Sequence, residues 1–136
     1  IDEQELFAAW MKIMIAAYDV TFVCINHTRK PPGGTDPNKM PDEYDIKGSG
    51  SIIQSGFLTM VFHRNKTLEG IDKNITELMA TKNRQTGETG LAGFIYYCNE
   101  THTLYDLKEA YALFPERFKD LPEKYHFYLG IQPEEY

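Results

Sequence analysis

Lys82 and Arg84, in the run TKNRQTGETG (81–90), are the residues whose types and spacing best suit chemistry. They follow the apolar-rich run ITELMA and precede a turn marked by Gly87 and Gly90. In an extended strand the side chains at i and i+2 leave the same face, so two cations stand side by side at a strand tip. Arg offers a planar fork and Lys a point charge, and both match phosphoryl oxygens. The pair is read as a phosphate clamp. The alternative is a solvated strand end where cations only keep an edge soluble.

Further anion-directed groups lie upstream. His27 follows the apolar run VTFVCIN, which places its ring near a strand end, suited to sensing a phosphate or orienting a water. The alternative there is a histidine bonded to a loop carbonyl. In KGSGS (47–51), Gly48 and Gly50 leave backbone N–H groups open at an expected helix start, and Lys47 adds a charge. A tight linker turn would look the same, and the run is not a P-loop, because no Gly-Lys-Ser/Thr follows at the required spacing. Arg29, Lys30 and Lys39 are placed to track a nucleic-acid backbone, although Asp36, Asp42, Glu43 and Asp45 also fit a solvated loop. His27, His63, His102 and His126 show no metal-ligand spacing with each other or with the cysteines, so no metal site is expected. No Ser/His/Asp order, paired-carboxylate pocket or Cys-x-x-Cys supports hydrolase, glycosidase or redox chemistry.

These residues need elements to position them. Apolar residues at Leu6, Phe7, Trp10, Met11, Met14, Ala17 and Tyr18 predict an amino-terminal helix with acids in its first turn. VTFVCIN reads as a strand buried on both faces. A long polar loop follows from Thr28 to about Asp45, then a short helix in KGSGSIIQSG, a strand in FLTMVFHRN and another in NITELMATKN. LAGFIYYCNETHTLYDL reads as a hairpin turning at NETH, and the remainder as a short helix broken by Pro115 and Pro122. Helix then buried strand suggests an α/β layer structure with parallel strands, whose carboxyl ends gather ligands. Asn26-His27, His63-Arg64-Asn65 and Lys82-Asn83-Arg84 would then mark one functional edge.

With 136 residues the chain suits one ordinary domain. The formal net charge of -6 falls mostly after Tyr97, which excludes a nucleic-acid binder working by bulk basicity and leaves room for a local anion site. No apolar run approaches the roughly 20 residues that span a bilayer. The acidic opening IDEQELF is unlike a secretory leader, and Ile1 is expected to mark a cut within a longer protein. Cys24 and Cys98 sit in apolar runs and read as buried, reduced thiols of a cytoplasmic protein.

In order, INHTRKP, a long polar loop, DIKGSGSIIQ, MVFHRN and ATKNRQTGETG resemble the carboxyl-terminal half of the RecA-like motor domain in DnaB-type hexameric replicative DNA helicases, including phage primase-helicases and Twinkle. The likeness covers about 1–106, and Lys-x-Arg-x-Thr-Gly-x-Thr-Gly is its most specific piece. It implies a partial RecA-like α/β fold: a mostly parallel sheet flanked by helices and ending in an antiparallel hairpin. An acidic, aromatic-containing tail follows at 107–136. By the same resemblance His27 is a γ-phosphate sensor. Arg84 is an arginine finger and Lys82 its companion, both reaching the ATP site of an adjacent subunit. Arg29, Lys30, Lys47, Gly48 and Gly50 belong to loops that hold single-stranded DNA. ATP and Mg2+ are implied for the parent protein, as is a hexameric ring in a bacterial or phage-infected cytoplasm, the mitochondrial matrix being the alternative.

Departures are plain. Lys47 stands where Arg is common in that family and Phe57 where Asp is usual, and the chain has neither a Walker A motif nor a Walker B Asp, so the fragment alone is expected to be inactive. A RecA/RadA- or KaiC-like ATPase fragment and a non-catalytic nucleic-acid-binding or oligomerisation module are the rival readings.

Overall fold

Asp2 sets the start of the first helix: its carboxylate accepts from the Glu5 N–H at 2.8 Å, and Glu3 and Glu5 place negative charge in the first turn of α1, Glu3–Ala17. The structure, a computed structural model, describes residues 2–48 and 50–133. The remaining elements are α2 (Gly50–Ser55), β1 (Leu58–His63), β2 (Ile75–Asn83), β3 (Gly90–Cys98), β4 (Thr103–Asp106), α3 (Leu107–Leu113) and α4 (His126–Leu129). Short 3-10 turns occupy Glu43–Asp45, Gly70–Asn74, Pro115–Phe118 and Glu123–Tyr125. No helix among the described residues is long and apolar enough to cross a membrane.

The chain is mixed α/β, and its four strands lie in the order β1-β2-β3-β4 in an antiparallel sheet. The mostly parallel sheet expected from the sequence is therefore corrected. Parallel neighbours need a crossover of a dozen or more residues, usually a helix. Here residues 84–89 alone join β2 to β3, and 99–102 join β3 to β4. The antiparallel hairpin is as expected, in the register Ile95↔Asp106, Tyr96↔Tyr105, Tyr97↔Leu104 and Cys98↔Thr103. His102 closes its turn with φ 54°, its N–H donating to the Cys98 carbonyl at 2.8 Å.

The chain divides into two compact units, Ile1–Val61 with Ala80–Glu88, and Phe62–Met79 with Thr89–Tyr136. In the first unit α1 buries only Ala8 and Met11, while Leu6, Phe7, Trp10 and Ile13 stay exposed. Trp10 stacks on Phe7 at 5.7 Å and meets Phe22 at 5.6 Å. VTFVCIN, expected as a buried strand, is neither a strand nor buried: Val23 is 86% and Ile25 92% exposed. β-branched residues favour pleated backbone only where neighbouring strands cover them, and none of the four strands of the described residues pairs with this segment. Cys24 is exposed too, against expectation, although its thiol reaches Met11 Sδ at 3.7 Å.

The second unit holds a continuous core. Phe94 meets Tyr125 edge-on at 4.8 Å and Tyr128 at 5.1 Å, and Tyr96 meets Phe118 at 5.1 Å. Leu107 and Ala110 of α3 lie inside the same cluster. The residues after Asp106 share their core with β3. Of the aromatics Tyr125, Phe127 and Tyr128, Phe127 alone points away, at 97% exposed. Gly93 permits this packing, because a Cβ there would stand 3.1 Å from the Tyr128 hydroxyl. The Tyr125 hydroxyl donates to the buried Asp72, whose other oxygen takes Lys124 Nζ at 3.1 Å. Burial first, and Asp72 second, push the Tyr125 hydroxyl pKa upward, so the bond persists through the physiological range.

Candidate functional site

Lys82 is the penultimate residue of β2 and Arg84 follows the strand's last residue, so their side chains leave one face. Arg84 is held in line by its own N–H, which donates to the Phe57 carbonyl at 2.8 Å. Beyond it the chain turns sharply. Asn83 Oδ1 accepts from the N–H of Gln85 at 3.1 Å and of Thr86 at 3.3 Å, and the Gly87 N–H returns to the Asn83 carbonyl at 2.8 Å. Gly87 has φ +76°, a conformation that suits glycine.

The two heads converge. Lys82 Nζ donates to the carbonyls of Ile53 at 2.6 Å and Gln54 at 3.3 Å, and Arg84 Nη2 donates to the same Gln54 carbonyl at 2.5 Å. These are the last-turn carbonyls of α2, which has no basic residue of its own there. No carboxylate forms an ion pair with either cation among the described residues. Burial, and then the neighbouring Arg84 charge, hold the Lys82 ammonium below its ordinary range, while Glu43 acts the other way.

The other predicted residues gather at the base of the long loop. Thr28 bridges Ile46 in antiparallel fashion. The Arg29 N–H donates to the Asp45 carbonyl at 2.6 Å, and the Lys47 N–H to the His27 carbonyl at 2.8 Å. Arg29 Nη2 reaches the Gly48 carbonyl at 3.3 Å. The structure thus brings His27, Arg29, Lys47 and Gly48 together, with Lys47 exposed, and Gly50 opens α2 two residues on. Lys30 is exposed in the loop. No hydrogen bond joins His27 to Lys82 or Arg84 among the described residues, and His27 follows an irregular segment rather than a strand.

Gly48 has φ +132°, and a Cβ there would stand 3.0 Å from the Gln4 side chain, so the position admits glycine on two counts. An open cleft of about 520 Å³ beside it is lined by Asp2, Glu3, Gln4 and Gly48. Its two carboxylates oppose a phosphate at Gly48 itself, which leaves Lys47 as the cation better placed for one.

Sequence reasoning missed Glu43 and the carbonyls of Ile53 and Gln54. Backbone acceptors carry no residue signature; the one available signal is the run IIQSG, a helix end without Lys, Arg or His. Glu43 was legible only as one loop acid among several. Its Oε2 is buried without a hydrogen-bond partner.

No protein-family model matches the chain, and no curated protein matches it.

The second unit has a titratable cluster of its own. Cys98, 1% exposed, takes Arg117 Nη1 at 3.3 Å, and Arg117 Nη2 pairs with Glu100 Oε2 at 2.6 Å. Hydrogen bonds from Thr101, side chain first, and then from Arg117 pull the Cys98 thiol down to about 7. A depressed pKa means that the unfolded chain binds more protons between the two values, so stability rises with pH there. This contribution is complete above an ordinary value of 9.0 and disappears as pH falls through about 7. Urea unfolding of wild type and Cys98→Ser from acid to alkaline pH is expected to show the wild-type advantage growing across that window. A constant difference between the two proteins would remove the thiolate from the account.

Proposed function

We propose that this chain is part of the motor of a ring-forming, DnaB-type DNA helicase, in which Lys82 and Arg84 act on a nucleotide held by a neighbouring subunit. The observation that supports this best is the convergence of two cations at one strand end, within hydrogen-bond reach of the same carbonyl and with no carboxylate ion pair among the described residues. Two cations held close together repel each other, which an anion between them relieves.

The residues present fit a phosphoryl group in part. The Arg84 fork and the Lys82 ammonium match non-bridging oxygens, whereas the motifs that would hold ATP and Mg2+ directly are absent from this sequence. When bound, Mg-ATP supplies the phosphoryl group and the metal's charge. The role of this chain is positive charge: Arg84 and Lys82 stabilise negative charge developing on the transferring group only when subunits are correctly packed. His27, held at the base of the DNA-facing loop through its carbonyl, would link phosphate to strand. Arg29, Lys30, Lys47, Gly48 and Gly50 would line the path of single-stranded DNA, Lys47 contacting its phosphates as a point charge.

Replacing Arg84 in the parent ring tests the nucleotide half of this reading, and Lys47 tests the DNA half. Lys47→Ala is expected to weaken single-strand binding and to lower the slope of log affinity against log salt by roughly 0.7, one phosphate contact on a single strand. An unchanged slope would move the contact elsewhere.

A further inference from the structure

We propose that Lys82 and Arg84 form a latch on α2 that a polyphosphate anion opens. The inference rests on the reading that this pair meets a phosphate, and it adds what the pair does when no phosphate is there.

α2 is six residues long, well below the length at which a helix holds itself in water. The Gly56 N–H serves the carbonyls of Ile52 and Ile53, which leaves the Gln54 carbonyl beyond the reach of the helix's own ladder, and no basic side chain of α2 complements its last turn. The deficit is filled from the far end of β2, where three hydrogen bonds from two cations land on Ile53 and Gln54. Position 43 adds a second restraint. Glu43 Oε2 is buried without a hydrogen-bond partner, and Glu43 and Lys82 share an attractive field. The cations thus stabilise the end of α2, and the Lys82 charge attracts that of Glu43.

That arrangement is reversible by chemistry. A neutral carbonyl is a weaker acceptor for a cation than a phosphate oxygen, whose charge-assisted bonds are about twice as strong. An arriving polyphosphate draws both heads outward. The Gln54 carbonyl is then orphaned, the Ile53 carbonyl keeps only the Gly56 N–H at 3.3 Å, and Lys82 moves away from Glu43. The turn at Glu43–Asp45 closes the long loop through the Arg29–Asp45 bond and the Thr28–Ile46 bridge. Release at the pair therefore loosens the end of α2, and anything that stiffens that end through the same carbonyls must by reciprocity weaken the anion's hold.

Amide hydrogen exchange on the whole chain tests this, with inorganic tripolyphosphate as the probe. The Gly56 N–H, bonded to the carbonyls of Ile52 at 3.2 Å and Ile53 at 3.3 Å, reports on the end of α2. Its exchange is expected to quicken about ten-fold in Lys82→Gln/Arg84→Gln, the effect of losing charged hydrogen bonds. Saturating tripolyphosphate should produce the same change in wild type and none in the double variant. The amides of Phe94 and Tyr96 in β3 serve as the internal reference for intact folding. If tripolyphosphate shifts the Lys82 and Arg84 side-chain signals while Gly56 protection stays put, the latch is wrong and the phosphate reading survives. If those signals do not move at all, the phosphate reading fails and takes the latch with it. Unaltered Gly56 exchange in the double variant also overturns the latch.

Discussion

Arg84→Ala in the parent ring is expected to lower DNA-stimulated ATP hydrolysis by about 10³-fold or more, the range an arginine finger supplies. On the reading proposed above nucleotide binding should survive, because Arg84 acts on the transferring group and this sequence has no motif that would hold ATP directly. Arg84→Lys should rescue little: an ammonium keeps the charge and loses the planar two-point fork. Lys82→Ala should cost less, since an ammonium is a point charge without the two-point fork that Arg84 offers a phosphoryl group. Steady-state turnover with and without single-stranded DNA, alongside a nucleotide-binding isotherm, separates these effects. Turnover retained in Arg84→Ala would exclude the finger role, and loss of nucleotide binding would show that Arg84 holds the ground state instead.

Leu107→Ala is expected to destabilise the chain by about 2–5 kcal/mol, the usual cost of emptying a fully buried leucine site. Leu107 is 0% exposed and belongs to the cluster of Phe94, Tyr96 and Tyr125. Those aromatics are fixed by edge-to-face contacts and by the Asp72–Tyr125 bond, so little can move in to fill the space. Against a total stability of about 5–15 kcal/mol for an ordinary domain, that is a large share. Leu113→Ala, at an exposed position on the same helix, should change stability by no more than about 0.5 kcal/mol. Urea denaturation of the three proteins, compared by midpoint at constant slope, checks the pair. Equal losses at both positions would mean that α3 does not bury the face described.

What could be read from residues alone was what depends on near neighbours. The acidic first turn and the spacing from Leu6 to Tyr18 located α1, and NETH located the β3–β4 turn. Pro115 follows the end of α3 at Leu113 by two residues, as a residue without an N–H to continue the ladder should, and it opens the next 3-10 turn; Pro122 instead caps the start of Glu123–Tyr125. The failures came where neighbours distant in sequence decide. VTFVCIN has the composition of a covered strand, yet strand formation needs a partner backbone, which composition does not specify. The parallel sheet was inferred from a helix–strand alternation that this segment does not complete. At the candidate site, the i, i+2 rule placed Lys82 and Arg84 on one face. Nothing in a residue's identity announced that Ile53 and Gln54 carbonyls would receive them.

The contact at Gly93 bears on how sequences related to this one can drift. A methyl group at position 93 would press on the Tyr128 hydroxyl, which is itself tied to Asp106 Oδ2 at 2.8 Å. A larger residue at 93 needs that hydroxyl to shift or to go, so in an alignment it should arrive together with a residue at 128 that lacks the hydroxyl, such as Phe, whereas Phe at 128 is compatible with Gly93 unchanged.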